Sequence, residues 1–297
     1  MAAAELSLLG LGPMGAPMAG RLLDAGWDLT VWNRTAAKTH PFVDRGGRAA
    51  ATPAEAARPI VLTVLPDLPQ VVEVLGGPDG LRAGWRARGI ERPILVVHGT
   101  TSPADTRDLA ERMLRDDGVV LIDAPVSGGT VGAAAGTLSV MVGGDAAVVD
   151  ALRPVFGAYA RLVTRFGDAG SGAVAKACNQ IVVASTVAAI SEALVLADGA
   201  GLDRRDLLDV LGAGLADSEV LRQKREKWIS DDFRPGGSAR NQAKDLHFVA
   251  DAARSWGVDL PTADAVRTLF DRMLERGDGD LDHTGVIRTV AARKDPS

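Results

Sequence analysis

The chain contains few residues of several types that mark particular classes of protein. Among its 297 residues are one cysteine, Cys178, and four histidines. A single cysteine excludes an intrachain disulfide and a cysteine-rich metal site, and it fits a reducing compartment, so we expect a cytoplasmic protein. The histidines lack the spacing of metal ligands, and no metal is expected. The net charge of −5 and the scattered arginines provide no basic stripe for a phosphate backbone, so a nucleic-acid partner is not indicated.

Long uninterrupted apolar segments are also missing. The segment from Ile181 to Ala197 is almost apolar enough to span a membrane, but Ser185, Thr186, Ser191 and Glu192 interrupt it. We therefore expect no membrane partner, and we interpret the segment as a core helix that a second subunit could cover. The first 15 residues are apolar, but they have no basic region and lead into a glycine motif that needs them as a strand, so they do not indicate a signal peptide.

The first half of the chain alternates short β-branched segments with helical ones. Most of the strands that this pattern predicts are apolar on both faces, as expected for a covered parallel sheet. The predicted strands are Glu5–Leu11, Asp28–Trp32, Ile60–Leu65, Ile94–Val97, Val119–Asp123 and Leu138–Val142. The predicted helices are Pro13–Ala25, Ala36–Arg45, Leu68–Leu75, Pro103–Arg115 and Ala146–Phe156. This alternation predicts a doubly wound, mostly parallel α/β domain over residues 1–166.

Helical periodicity continues after Phe166, and no further β-rich segment is predicted. The helices predicted there are Gly172–Ala200, Arg204–Leu211, Ser218–Trp228, Arg240–Trp256, Pro261–Arg276 and Asp282–Ala292. We place the domain boundary at Gly167–Gly172, where a glycine-rich sequence can end a sheet and begin a long helix. Residues 167–297 are thus predicted to form an all-α domain that begins with that helix.

A glycine motif, Gly10-Leu11-Gly12-Pro13-Met14-Gly15, follows the first predicted strand and opens the first helix. In that context the first glycine allows a tight turn, the second lets backbone approach a pyrophosphate, and the third lets helix and strand pack closely. The N-terminus of the helix adds free N–H groups and the positive end of the helix dipole. The motif alone is weak evidence, but together with the βαβ pattern it predicts a dinucleotide cofactor.

The end of the second predicted strand indicates which nicotinamide cofactor binds. NAD sites usually place an acidic residue there to hold the ribose 2′-hydroxyl. This chain has Asn33-Arg34-Thr35 instead, so no carboxylate repels a 2′-phosphate, and a guanidinium with amide and hydroxyl neighbours is suited to bind one. We predict that NADP(H) is preferred over NAD(H). The alternative is that Arg34 only solvates the loop.

The segment Asp123-Ala124-Pro125-Val126-Ser127-Gly128-Gly129 leaves a predicted strand at its carboxyl end, where open α/β sheets bind ligands. Ser127 supplies a hydroxyl, and Gly128 and Gly129 can present N–H groups without obstruction by side chains. These groups suit a carboxylate or a similar small anion. Alone, however, Ser-Gly-Gly is more often a turn.

Lys176 lies in the motif Gly170-x-Gly172-x-x-x-Lys176-x-x-Asn179 at the start of the long apolar helix. Lys176 and Asn179 are three residues apart, so they share one helix face and can reach the same small molecule. A lone lysine on a helix is more often a solvated charge. Cys178 lies on another face of this helix and is predicted to pack in the core.

Five motifs occur in order along nearly the whole chain, and together they resemble the β-hydroxyacid dehydrogenases. The motifs are the glycine motif from Gly10, the segment Asp123–Gly129, the lysine motif from Gly170, Glu192-Ala193-Leu194 and Lys244-Asp245-Leu246. The family contains 3-hydroxyisobutyrate dehydrogenase, tartronate semialdehyde reductase and glyoxylate/succinic semialdehyde reductases. The resemblance implies a Rossmann domain followed by an all-helical domain, and a homodimer or homotetramer formed largely through the helical half.

The resemblance also implies roles for single residues. Lys176 corresponds to the catalytic lysine, whose ammonium protonates the developing alkoxide in reduction and whose neutral amine takes the hydroxyl proton in oxidation. Asn179 would bond the same oxygen or the substrate carboxylate, which Ser127, Gly128 and Gly129 would also bind. Further residues that match cofactor-lining positions of the family are Leu65, Pro66, Thr100 and Lys244.

The sequence departs from the family pattern in three places. The segment Gly99-Thr100-Thr101 replaces Ser-Thr-Ile, and Asn179-Gln180 replaces Asn-Asn. Gly237 stands where relatives commonly have phenylalanine. Loss of that ring would open the pocket to a substrate larger or less polar than a three-carbon hydroxyacid; the alternative is that Trp228 or Phe233 fills the space.

These observations predict an NADP(H)-dependent oxidoreductase that interconverts a small hydroxy acid and its aldehyde or ketone. Two other functions stay open at this stage. Imine reductases share the amino-terminal motif, the Asn-Arg-Thr loop and the two-domain organisation, but they generally lack the lysine. A non-catalytic cofactor-binding scaffold on the same fold would also tend to lose it, and here Lys176 is present.

Overall fold

The computed structural model describes residues 5–234 and 236–292. The chain divides into two compact units, the first ending at Lys176 and the second beginning at Ala177. This division falls inside a long helix. The domain limits drawn from the sequence, 1–166 and 167–297, follow the end of the sheet instead.

A single sheet forms the centre of the first unit, and within the described residues it has nine strands. They are β1 (Leu6–Leu9), β2 (Leu29–Trp32), β3 (Arg48–Ala49), β4 (Ile60–Thr63), β5 (Ile94–Val97), β6 (Val120–Asp123), β7 (Val126–Ser127), β8 (Leu138–Gly143) and β9 (Ala160–Gly167). The spatial order is β3-β2-β1-β4-β5-β6-β8-β7, and β9 pairs with β8. Strands β1 to β6 pair in parallel, whereas β8 runs antiparallel to β6 and β7.

Helices of the first unit connect these strands. They are α1 (Gly15–Asp24), α2 (His40–Val43), α3 (Leu68–Leu75), α4 (Leu81–Arg88), α5 (Pro103–Asp117), α6 (Gly129–Ala135) and α7 (Ala146–Phe156). Local signals set their ends: α5 begins where the Ser102 hydroxyl accepts a hydrogen bond from the Asp105 N–H, and it ends at Gly118 in the left-handed region.

Both faces of the sheet are covered by apolar layers. Leu8 and Leu9 are adjacent in β1 and fully buried, yet they belong to different clusters, because successive side chains of a strand point to opposite faces. This double burial explains why the strands are apolar throughout instead of alternating.

The second unit consists of helices. The long helix α8 (Ser171–Ala200) leads into α9 (Arg204–Ala213), α10 (Glu219–Ser230), α11 (Ala239–Trp256), α12 (Pro261–Glu275) and α13 (Val286–Ala291). By length and composition α8 could cross a membrane, a test that core helices of globular proteins also pass. Its residues Val187 and Leu194 are buried in the core of this unit, together with Trp228 and Phe270.

The predicted fold class is confirmed: a mostly parallel Rossmann sheet precedes a helical region that begins with a long helix. The six predicted strands correspond to β1, β2, β4, β5, β6 and β8, with ends that differ by at most two residues. The helix predicted at Ala36–Arg45 is shorter and divided. It consists of a 3₁₀ turn at Ala36–Thr39 and the short α2, with Pro41 in its first turn.

Several elements have weak sequence signals and are absent from the predicted set. Strand β9 lies at the edge of the sheet, where Leu162 and Phe166 are each 55% exposed, so it lacks the apolar pattern of the central strands. Helix α4 contains a glycine and three arginines, and α6 is a seven-residue helix rich in glycine and alanine. Strands β3 and β7 have two residues each.

His98 connects three elements of the first unit at the end of β5. Its Nδ1 lies 2.6 Å from the carbonyl oxygen of Ala124, and its Nε2 lies 3.1 Å from the hydroxyl of Tyr159. The carbonyl only accepts, so Nδ1–H donates and the Tyr159 hydroxyl donates to Nε2. Both side chains are buried, and desolvation lowers the pKa of His98 to about 4. The imidazole is therefore neutral in the folded protein at pH 7.

Burial of neutral His98 predicts a loss of stability in mild acid. The unfolded chain protonates this histidine near its ordinary pKa of 6.5, but the folded protein does so only near 4. The contribution is complete above pH 6.5 and is lost as the pH falls toward 4, by at most about 3 kcal/mol. Denaturant unfolding of His98→Asn and wild type across this range should show a flatter pH dependence for the variant. Parallel curves would contradict the assignment.

Candidate active site

The three motif glycines occupy positions with three different constraints. Gly10 has φ 102°, and a Cβ there would collide with the carbonyl oxygen of Val64. A Cβ on Gly15 would collide with the carbonyl oxygen of Gly10, so only glycine lets α1 start this close to β1. Gly12 has nothing within 4 Å of its Cβ position. The fold thus requires the outer two glycines, whereas the open space at Gly12 leaves the backbone accessible to a ligand.

The start of α1 fits the pyrophosphate of a dinucleotide. No side chain caps this helix, and its first turn contains no acidic residue. The first turn of α1 therefore adds no negative charge of its own to the N–H groups and the positive end of the helix dipole. Pro13 is exposed and Met14 half-buried beside the same turn.

The residues after β2 combine one structural side chain with exposed polar ones. The Asn33 Oδ1 accepts a hydrogen bond from the Leu11 N–H at 2.9 Å, and its Nδ2 donates to the Thr35 carbonyl oxygen at 3.1 Å. Asn33 thereby ties its own loop to the glycine turn. Arg34 and Thr35 are exposed. Arg34 is therefore accessible to a ligand held at the glycine turn.

Three further residues that are predicted to contact the cofactor follow parallel strands. Leu65 and Pro66 come after β4, and Thr100 comes after β5. Because β2, β1, β4 and β5 are parallel neighbours, their carboxyl ends meet at one edge of the sheet. The structure therefore brings these residues to the same edge as the glycine turn and the Asn33–Thr35 loop.

The predicted carboxylate-binding residues lie where β7 leads into α6. Ser127 is the last residue of β7, and it pairs with Ser139 of β8. Gly128 and Gly129 follow with φ of 124° and 66°, in the region that favours glycine. Ser127 and Gly128 are half-buried and Gly129 is exposed.

Lys176 is buried and directed at this same segment. Its side chain lies on α8 and is 8% exposed, and its Nζ donates a hydrogen bond of 3.0 Å to the carbonyl oxygen of Val126. Val126 is the residue before Ser127. The ammonium and the predicted carboxylate-binding residues thus lie at the same turn, which is not where a solvated surface lysine would be found.

Asp123, at the end of β6, has a structural role that the sequence motif does not reveal. Its carboxylate is fully buried and accepts hydrogen bonds from the N–H groups of Gly170 and Ala173, each at 2.8 Å. Burial raises the pKa of Asp123, and these N–H donors act in the opposite direction. The residue anchors the beginning of α8 to the sheet.

The helical unit contains a connected set of polar side chains. Asn179 Nδ2 donates to Gln180 Oε1 at 3.0 Å, and Gln180 Nε2 donates to Asp245 Oδ2 at 2.7 Å. The Lys244 ammonium lies 3.5 Å from Asp245 Oδ1 and 5.4 Å from the centre of the Phe248 ring. Asn179 and Lys244, two of the predicted site residues, are therefore linked through Gln180 and Asp245.

The sequence motifs contain Gln180 and Asp245 but give no sign that they touch. Gln180 and Asp245 are 65 residues apart, so their contact arises only from the packing of α8 with α11. The sequence contains only a weak sign that these two residues belong to the site. Each stands directly beside a predicted site residue, and each is a polar residue on a largely apolar helix face.

The structure shows the surroundings of two further positions, Cys178 and Gly237. Cys178 is exposed, so the prediction that it packs in the core is wrong. The Cβ position of Gly237 has nothing within 4 Å, whereas Trp228 and Phe233 are buried in the core of the helical unit. Neither ring fills the space beside Gly237.

Across residues 5–234 and 236–292, no group of three or more His, Cys, Asp or Glu side chains could hold a metal ion.

Comparison with known families matches both parts of the chain. The model of the NAD binding domain of 6-phosphogluconate dehydrogenase matches residues 5–167. The model described as NAD-binding of NADP-dependent 3-hydroxyisobutyrate dehydrogenase matches residues 170–290.

Individual relatives align over almost their full length. The 2-hydroxy-3-oxopropionate reductase of Escherichia coli (strain K12) is 35% identical over 292 residues, 96% of this chain and 97% of the relative. A crystal structure of 3-hydroxyisobutyrate dehydrogenase from Salmonella typhimurium is 29% identical, covers 96% of this chain and 99% of its own, and superimposes with a TM-score of 0.87. The Mycobacterium tuberculosis 3-hydroxyisobutyrate dehydrogenase with L-serine is 30% identical, covers 98% of this chain and 100% of its own, and has a TM-score of 0.81.

The glycine turn, the lysine helix and these matches define a nicotinamide-dependent oxidoreductase acting on CH–OH groups of a small-molecule substrate. The chain belongs to the β-hydroxyacid dehydrogenase family, and it is an NAD(P)-dependent hydroxyacid dehydrogenase. The family predicted from the sequence motifs is thus confirmed.

Proposed function

We propose that this protein is an NADP(H)-dependent enzyme that interconverts a small hydroxy acid and its aldehyde or ketone, with Lys176 as the general acid and base. The observation that carries the proposal is the hydrogen bond from the buried Lys176 ammonium to Val126, beside Ser127, Gly128 and Gly129. A cation at that point lies next to the groups that would hold a carboxylate, and a hydroxy acid has its reacting oxygen within one or two carbons of the carboxylate.

Each residue then has a defined task. The bound nicotinamide supplies or accepts the hydride at the substrate carbon. Lys176 holds the proton at Nζ and gives it to the carbonyl oxygen in reduction, or takes it from the hydroxyl in oxidation. Ser127, Gly128 and Gly129 bind the carboxylate, and Asn179, three residues beyond Lys176 on α8, bonds the same oxygen or the carboxylate. Burial keeps water away from the ammonium.

Replacement of the lysine tests this assignment. Lys176→Ala should lower kcat by about 10²- to 10⁴-fold because no group remains to transfer the proton. NADPH binding, measured by fluorescence titration, should stay within about twofold, since the glycine turn and the Asn33–Thr35 loop that hold the cofactor in this proposal are unchanged. Arg112→Ala removes an exposed cation from α5 of the same unit; it serves as the control and should behave as wild type. An active Lys176→Ala enzyme would refute the proposed chemistry.

The preference for NADP(H) rests on the loop after β2. Arg34 is exposed beside Asn33, which is bonded to the glycine turn, so a guanidinium is available at the end of β2 where a ribose 2′-phosphate would lie. The loop contains no acidic residue, and a guanidinium binds phosphate oxygens with paired N–H groups. Thr35, Leu65, Pro66 and Thr100 complete the proposed cofactor contacts at this edge, and Lys244 stays a cofactor contact predicted from the family alone.

Removal of this guanidinium should change the choice of cofactor. Charge-assisted hydrogen bonds contribute roughly 1.5–3 kcal/mol, so Arg34→Ala should reduce kcat/KM for NADPH by about tenfold or more and leave that for NADH nearly unchanged. Steady-state kinetics with both cofactors measure the ratio. Arg86→Ala removes an arginine whose side chain is 75% exposed on α4 and provides the matched control. An unchanged ratio in Arg34→Ala would mean that the arginine only solvates its loop.

We propose a substrate larger or less polar than a three-carbon hydroxy acid. The support is the open space beside Gly237, which neither Trp228 nor Phe233 occupies. The backbone of Gly237 is outside the left-handed region, so a side chain is compatible with its conformation.

A ring at this position should reverse that preference. Gly237→Phe is expected to lower kcat/KM for branched or longer hydroxy acids about tenfold relative to three-carbon ones, because the ring occupies volume that the substrate uses. Gly237→Ala separates volume from backbone effects and should keep the wild-type order of substrates. A panel of hydroxy acids of graded length measures both. A wild-type enzyme that already prefers short, unbranched substrates would contradict the enlarged pocket.

We further propose a cytoplasmic homo-oligomer, a dimer or tetramer formed through the helical unit. The support is the surface of α8, where Val182 is 66% exposed and Leu196 is 76% exposed. A largely apolar groove also lies between α8 and the beginning of α12, and its lining includes Ala188, Ala189 and Leu269. A second copy would cover this apolar surface. The single cysteine supports a reducing compartment.

A further inference from the structure

Residues 123–126, which lead from β6 into β7, are joined to the start of α8 at two points. At the first, Asp123 accepts the N–H groups of Gly170, the residue before α8, and of Ala173 in its first turn. At the second, the Val126 carbonyl oxygen accepts a hydrogen bond from the Lys176 ammonium. Val126 follows Asp123 by three residues, and Lys176 follows Ala173 by three. One short segment of the chain therefore holds both the backbone that precedes the lysine and the lysine side chain.

The Asp123 carboxylate is matched to the first turn of α8. The first N–H groups of a helix have no partner within the helix, and a carboxylate facing them is stabilised by the helix dipole. Here Oδ2 accepts one of them, the Ala173 N–H, and Oδ1 accepts the N–H of Gly170, the residue directly before the helix. The two bonds fix both the position and the rotation of the helix start, which a single bond would not do.

Two glycines make room for this carboxylate. A Cβ on Gly143 of β8 would collide with Asp123 Oδ1, and a Cβ on Gly172 would come within 2.8 Å of Asp123 Oδ2. The carboxylate is therefore fully buried and in close contact with backbone from β8 and α8. Such enclosure is more than a helix cap requires: Asp145 caps α7 through the Val148 N–H and is exposed.

We propose that Asp123 is the positioning residue for Lys176: its two hydrogen bonds to the start of α8 set the direction in which the lysine ammonium meets the substrate oxygen. The inference rests on the proposed role of Lys176 and extends it. In this role Asp123 is not the group that transfers the proton, because it is fully buried and each of its carboxylate oxygens faces a backbone N–H. Small displacements of a catalytic group are costly, since an error of about 1 Å can reduce a rate about 100-fold.

Asp123→Asn tests the inference with almost no change in volume. The amide keeps one acceptor oxygen and places an NH₂ group against an N–H, so one of the two bonds is lost. In single-turnover experiments with enzyme in excess, the rate constant for NADPH oxidation should fall at least about tenfold. The dissociation constant of NADPH should stay within about twofold. Asp123→Ser, which also retains one acceptor, provides a second variant if the amide does not fold.

Two controls distinguish positioning from loss of stability. Asp145→Asn makes the same chemical change at the cap of α7, and Leu152→Ala creates a cavity in the fully buried core of that helix. Both should leave the single-turnover rate constant unchanged and at most reduce the fraction of active sites, counted by NADPH titration; for Asp145→Asn the reduction should be small, because asparagine caps a helix about as well as aspartate. If Asp123→Asn likewise changes only the fraction of active sites, Asp123 is merely structural and the inference fails. If Lys176→Ala is fully active, the proposed function fails first, whatever Asp123→Asn shows.

Discussion

Parallel pairing of β2, β1, β4, β5 and β6 is the constraint on which the rest of the molecule depends. Parallel strands all end at the same edge, so the segments that follow them converge although they are far apart in the chain. That edge receives the glycine turn, the Asn33–Thr35 loop and the segment after Asp123. Parallel pairing in turn requires helical crossovers on both faces, and their burial accounts for strands that are apolar on both sides.

Local patterns were sufficient to predict much of this architecture. The strands that the sequence identifies are those buried on both faces, and the glycine turn is recognisable because Gly10, Gly12 and Gly15 meet requirements within one short segment. Edge strand β9 is different, because large apolar residues such as Leu162 and Phe166 are exposed and the strand lacks the continuous burial that marks the central strands. Asn33 could be predicted only in part. Its motif is recognisable in the sequence as a cofactor loop, but only the structure shows that its side chain accepts the Leu11 N–H and so ties this loop to the glycine turn.

The contacts that the sequence could not reveal are those between distant residues. Asp123 is 47 residues from Gly170, and His98 is 61 residues from Tyr159. No periodicity connects such pairs, and each residue has an ordinary interpretation alone: an acid at the end of a strand, and a histidine without metal partners. Only the folded structure shows that Asp123 holds the start of α8 and that His98 bridges the loops that contain Ala124 and Tyr159. Both are buried polar groups with their hydrogen bonds satisfied, which is what makes an otherwise costly burial tolerable.

The exposure of Cys178 has a practical consequence of a different kind. It is the one thiol in the chain, it is exposed, and it stands two residues after Lys176 on α8. A maleimide fluorophore or nitroxide spin label would react at this single site, which lies one helical turn before the exposed Val182 that the proposed second subunit would cover, so the rate of labelling would also report whether this face of α8 is covered. The natural protein thus already contains a spectroscopic reporter on the helix that bears its lysine, so ligand arrival could be followed by emission or paramagnetic broadening with no mutation at all.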